Sequence, residues 1–114
     1  VTLELEPGAA FEALTVALEH EPLDPELVVS GTPTVGVLVL DDRDGRELGV
    51  WEMSPGSATD VETDEVFVVL AGSATVDGIA EGSVSLCPGT VVRLTAGMRS
   101  TWTVHETLRK LYLI

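Results

Sequence analysis

Apolar and polar side chains keep two different rhythms along this chain. Residues Val1 to Pro7 alternate, with Leu3 and Leu5 set against Glu4 and Glu6, which predicts a short half-buried strand. From Ala9 to His20 the run AAFEALTVALEH places Phe11, Leu14 and Leu18 at helical spacing among helix-favouring Ala and Glu. A short helix stopped before Pro22 is one expectation, and an extended arm packed on the rest is the other. Glu21 to Pro25 reads as a proline-marked linker, so residues 1–27 are assigned to an N-terminal arm or helix and residues 28–114 to a barrel.

Beyond the linker the period shortens to that of strands. Val28-Val29, Thr34 to Leu40, Glu47 to Met53, Glu65 to Leu70, Ser73 to Val76, Gly82 to Leu86, Val91 to Leu94, Thr101 to His105 and Leu108 to Ile114 are β-branched or apolar runs. Between them lie Ser30-Gly31-Thr32-Pro33, Ser54-Pro55-Gly56, Ala71-Gly72, Asp77-Gly78, Cys87-Pro88-Gly89 and Ala96-Gly97, all read as turns. Asp41 to Gly45 carries the strongest hairpin signal, an Asp-Gly pair between two alternating runs. Many short strands with turns at regular spacing predict an all-β domain, closed or sandwiched.

Composition narrows the function more than the fold. At 114 residues, 45% of them hydrophobic, the chain can form one domain with its own core and needs no disulfide or metal to fold. Its one cysteine, Cys87, rules out an internal disulfide and fits a reducing compartment. No run approaches the length of a membrane span and no signal sequence opens the chain, so a cytoplasmic location is expected. A formal net charge of −13 repels phosphate backbones and anionic lipid, which argues against nucleic-acid and membrane partners. Four of the six basic residues, Arg93, Arg99, Arg109 and Lys110, lie in the last quarter.

Chemistry converges on Gly49 to Gly72, where an aromatic strand, a Pro-Gly turn and the acidic segment Asp60 to Glu65 lead into the apolar run Val66 to Leu70. Strand alternation puts Glu65 on the face of Phe67 and Val69. An inward carboxylate needs a partner, and Ser100, a tyrosine or an arginine is expected to supply it. Such a group suits general acid/base work or ligand anchoring, and serves equally as a satisfied structural acid.

Four features in order then point to a family. Gly49-x-Trp51-Glu52-x2-Pro55-Gly56 is followed by Glu65-x6-Gly72, then by Gly89 to Gly97, and finally by Trp102-x6-Arg109-Lys110-x-Tyr112. This pattern resembles the cupins, and within them the small single-domain group named after ureidoglycine aminohydrolase, which includes ethanolamine-utilisation cupins. The resemblance implies a double-stranded β-helix, the cupin jelly-roll barrel, often dimeric, whose mouth holds a metal or a small molecule. It covers roughly residues 28–114. The family's first-motif histidines fall on Thr59 and Val61, or on Ala58 and Asp60 with the longer gap, and the second-motif histidine falls on Ser100. The chain's two histidines, His20 and His105, occupy none of these positions.

With one motif carboxylate and no motif imidazole, no metal cofactor is expected. An ion, if bound, would be held by Asp60, Glu65 and Ser100 as an oxygen-ligated site. Trp51, Thr59, Glu65, Phe67, Ser100 and Trp102 are the expected ligand-binding residues, and Glu65 is the best catalytic candidate. Either tryptophan serves as a stacking platform or as plain core. Arg99 and Arg109 can clamp a carboxylate or simply pair with surface acids, and Arg109-Lys110 can brace a dimer contact. His105, on the strand face opposite Trp102, is expected to meet solvent. Three functions follow: a metal-free cupin that binds a small polar molecule, a metal-dependent small-molecule hydrolase or isomerase related to ureidoglycine aminohydrolase, and a non-catalytic structural module. A homodimer is expected in each case, as the family and its exposed sheet edges imply.

Overall fold

The computed structural model describes residues 2–114. Among these residues nine strands form in chain order: β1 (Glu21–Pro22), β2 (Val28–Ser30), β3 (Thr34–Arg43), β4 (Arg46–Met53), β5 (Gly56–Val61), β6 (Glu65–Ala80), β7 (Gly82–Leu86), β8 (Val91–Leu94) and β9 (Arg99–Leu113). All strand pairings between them are antiparallel. The Asp-Gly signal is realised as a two-residue turn, with Asp44 at φ 56° and Gly45 at φ 73°, which matches the twist of β3 and β4.

Two long strands organise the rest. β9 pairs with β6 along its length, while its other edge takes β5 at residues 99–104 and β4 at residues 108–113. β6 in turn takes β8 near its start and β7 near its end. The result is two sheets, β1-β3-β4-β9-β6-β8 and β2-β5-β9-β6-β7, joined through the same two bent strands. Such a curled antiparallel sheet is a jelly-roll barrel, as expected. Phe67, Val69, Val76, Leu86, Leu94, Trp102, Val104 and Leu108 fill its interior.

Two turns expected from the sequence are corners or bulges inside β6. Register shifts fall between Val69 and Ala74, opposite the Glu106–Thr107 stretch of β9. Gly72, at φ +88°, sits there so close to β9 that a β-carbon would come within 2.0 Å of the Thr107 carbonyl. Gly78 likewise packs against the Arg99 carbonyl within the strand. Glycine at these places lets two strands bend past each other, and does not end them. For the same reason Thr101–His105 and Leu108–Ile114, expected as two strands, are one.

The helical reading of residues 9–20 is overturned. No helix forms among the described residues, and this segment is an extended arm with a turn near Ala13 to Thr15. A helix would need the Ala13 and Leu14 carbonyls for its own backbone, yet both accept from Nη1 of Arg109, at 3.0 and 3.1 Å. The arm then crosses the outer face of β3 at Gly36, where a β-carbon would clash with the Glu19 carbonyl and His20. Tertiary partners here outweigh a helical propensity worth only tenths of a kcal/mol per residue, roughly.

Candidate functional site

Side-chain alternation fixes which residues can meet inside the barrel. β4 sends Trp51 and Met53 inward, β6 sends Glu65, Phe67 and Val69, and β9 sends Ser100, Trp102, Lys110 and Tyr112. At one end these strands surround a cavity of about 420 Å³, whose walls include Leu23, Val35, Trp51, Met53, Trp102 and Tyr112. Its polar lining is Glu47, Thr59, Asp60, Glu62, Thr63, Glu65 and Lys110.

Lys110 is the residue that sequence reasoning misplaced. Its Nζ lies 2.7 Å from Oε2 of Glu65, with only 7% and 11% of the two side chains exposed. The same ammonium stands 4.6 Å from the centroid of Trp51, 4.5 Å from Phe67 and 4.8 Å from Trp102. Three ring faces and a carboxylate together form a cation box, and the chain's own lysine fills it. Lys110 therefore points into the barrel and cannot brace a contact outside it. Strand parity carried the signal: Lys110 pairs with Trp51 and lies two residues from buried Tyr112.

The expected partners of Glu65 are engaged elsewhere. Ser100, 4% exposed, donates to Oε2 of Glu62 at 2.8 Å, and Nε1 of Trp102 donates to the same oxygen at 3.1 Å. Glu62, on the loop after β5 and only 8% exposed, is the acceptor that satisfies both buried donors. Asp60 belongs to an exposed rim, but its carboxyl is partly desolvated and faces the Glu62 charge. Desolvation first, then that repulsion, raise it above its ordinary value.

The remaining candidates divide by face. Ala58 and Asp60 share the inward face of β5, whereas Thr59 and Val61 point the other way, so only the longer motif spacing matches the fold. Thr59 touches the cavity at its rim, and its hydroxyl donates weakly to the Leu27 carbonyl. Phe67 and Ser100 lie beneath the cavity wall rather than on it. Tyr112 donates to Glu47 at 2.7 Å, and burial together with that carboxylate pushes its phenol up.

Arg109 is no ligand clamp. Only 7% exposed, it faces outward under the arm and pairs with Glu52 at 2.8 Å. His20 contacts the other Glu52 oxygen at 2.7 Å. Burial alone would raise the Glu52 carboxyl, but hydrogen bonds from Arg109 and His20 outweigh it and hold the group below its ordinary value. His105 lies on the outside as expected, beside Thr75. Arg99 is exposed.

These positions test the family's metal directly. Glu65 already holds an ammonium, and Ser100 is committed to Glu62. Among the described residues no three Asp, Glu, His or Cys side chains converge as a ligand set. A divalent ion would have to expel Lys110 from Glu65, so the residues present do not fit one.

Residues 40–112 match the sequence model of the EutQ-like cupin domain, and the chain belongs to that family. Solved structures agree on the fold. A Pseudomonas syringae protein of unknown function shares 22% identity over 90% of this chain, with a TM-score of 0.74, although the chain spans only 45% of that protein's length. The Clostridium difficile EutQ protein is 20% identical, with 81% of this chain and 73% of that one aligned at a TM-score of 0.63. A putative ethanolamine utilization protein from Salmonella typhimurium is 15% identical, with 86% and 96% aligned at 0.61. No curated protein matches the chain. No helix among the described residues is long and apolar enough to cross a membrane.

Proposed function

We propose that this cupin domain binds a small polar molecule at the mouth of its barrel, without a transition metal. The observation that carries the reading is the Lys110–Glu65 pair under three aromatic rings, an internal cation at the carboxylate that the family pattern reserves for a ligand set. Above it, Trp51 offers a half-buried ring, while Asp60, Glu62 and Thr63 offer acceptors around a cavity of small-molecule size. Trp51 and Trp102 orient a ligand's apolar part, and the rim acids take its donors. The same proposal keeps the protein in a reducing, cytoplasmic compartment, which its lone cysteine fits, and free of nucleic acid, on the strength of its charge. Kinship with ureidoglycine aminohydrolase at the level of activity is not part of it, because that metal-dependent chemistry lacks its donors here.

Titration with small amines, polyols and carboxylates, followed through the indole signals of Trp51 and Trp102, tests the reading. At least one class is expected to shift both indoles, and Glu65→Gln is expected to weaken that binding. Stoichiometric manganese, nickel or zinc in the purified protein, lost in Glu65→Gln, would overturn it.

A further inference from the structure

Lys110 is the only lysine in the chain, and the other five of its six basic residues are arginines. Lysine normally keeps its charge in solvent, yet this one is buried and lines the barrel cavity beside Glu65. If the box of Trp51, Phe67, Trp102 and Glu65 needed only a resident cation, arginine would serve it. A guanidinium meets a carboxylate through two N–H groups and stacks flat on aromatic rings. What lysine has and arginine lacks is a primary amine that becomes a nucleophile on giving up one proton. The acceptor for that proton is in place, since Oε2 of Glu65 lies 2.7 Å from Nζ.

We propose that Lys110 forms a Schiff base with a small neutral hydroxyaldehyde in the barrel mouth, and that Glu65 moves the proton. Glu65 takes one proton from the ammonium, the nitrogen lone pair bonds to the carbonyl carbon, and the carbonyl pair moves onto oxygen. A proton still on nitrogen passes to that oxygen and gives a neutral carbinolamine. Glu65 then returns its proton to the hydroxyl, the C–O bond breaks, water leaves, and a cationic iminium remains. Nothing is oxidised or reduced, and no co-reactant is consumed. The positive charge ends where it began, so the three rings and the carboxylate that hold the ammonium also hold the iminium. A cavity of about 420 Å³ suits a small ligand, and its walls choose the class. Asp60 and Glu62 at the mouth repel a 2-oxo acid but accept hydrogen bonds from hydroxyl groups. The inference rests on the proposed binding of a small polar molecule, and gives that molecule a class and a covalent mode.

Glycolaldehyde with cyanoborohydride, which reduces an iminium to a stable secondary amine, tests it, with peptide mass mapping to locate the adduct. Lys110 is expected to react ahead of the N-terminal amine of the same molecule, and pyruvate is expected to leave Lys110 unmodified. Glu65→Gln is expected to slow the Lys110 adduct about a hundredfold. Lys110→Arg, which keeps a cation in the box, is expected to abolish it. An adduct on the N-terminal amine alone overturns the inference, and that mapping on the wild type decides even if a variant fails to fold. Labelling by pyruvate as fast as by glycolaldehyde overturns it too, as does an undiminished rate in Glu65→Gln. If glycolaldehyde shifts the Trp51 and Trp102 indoles while Lys110 stays unmodified, the covalent step falls and the binding of a small polar molecule stands. If Lys110 stays unmodified and no ligand class moves either indole, both fall.

Discussion

Nζ of Lys110 stands 2.7 Å from Oε2 of Glu65, and both side chains are nearly closed to solvent. One acid of the cavity is thus neutralised from within the chain. Removing one partner of such a pair strands a buried charge, which costs far more than removing both. Lys110→Met and Glu65→Leu are each expected to lower the urea-derived stability by about 3–5 kcal/mol. The double variant is expected to lose less than the sum. Additive losses in the double-mutant cycle would mean that the pair is not formed in solution.

Asp60 gives the site a pH dependence of definite sign. Its carboxyl is raised in the folded state, chiefly by desolvation and by Glu62, so the native protein holds that proton more tightly than the unfolded chain does. The stability this supplies is fully present below the ordinary value of 3.8 and is lost as pH rises through the raised one. Asp60→Asn is therefore expected to be more stable than wild type at neutral pH, with the advantage vanishing as pH falls below 3.8. Urea midpoints across that range check the sign; a neutral-pH loss would contradict it.

Gly72 and Gly82 separate backbone strain from crowding. Both adopt positive φ, at 88° and 79°, but a β-carbon on Gly82 meets open space while one on Gly72 meets the Thr107 carbonyl. Gly82→Ala is expected to cost about 1–2 kcal/mol, the left-handed penalty alone. Gly72→Ala is expected to cost about 1–3 kcal/mol more, because two strands must separate. Equal losses would show that the β6–β9 crossing is looser than it looks.

Arg109 holds the arm by its backbone carbonyls. Arg109→Lys keeps the charge but loses the planar fork that reaches Glu52 and two carbonyls together. Faster amide exchange through residues 9–20 is expected, with β6 and its pairing to β9 still protected. Unchanged exchange in the arm would mean that contacts near Gly36 suffice to hold it.

Much of the fold was legible because strand alternation and turn chemistry are local. The Asp44-Gly45 hairpin and the placing of Trp102 and His105 on opposite faces of one strand follow from adjacent residues, and the family resemblance said which face is inward. Gly72 misled because a glycine permits both a turn and a close crossing, and only the opposing strand decides which. Residues 9–20 misled for a related reason: their helical spacing is genuine, but Arg109, some ninety-five positions away, claims the carbonyls.

The candidate site divides the same way. By itself the sequence determined that Glu65 faces inward, which depends only on parity, and that histidine is missing from the positions where the family resemblance places it, which depends only on residue type. It could not say that Lys110 answers Glu65 while Glu62 answers Ser100 and Trp102, because two acids and several donors can be paired in more than one way. Only the tertiary structure decided, by bringing β4, β6 and β9 together so that a single ammonium reaches three rings and one carboxylate at once.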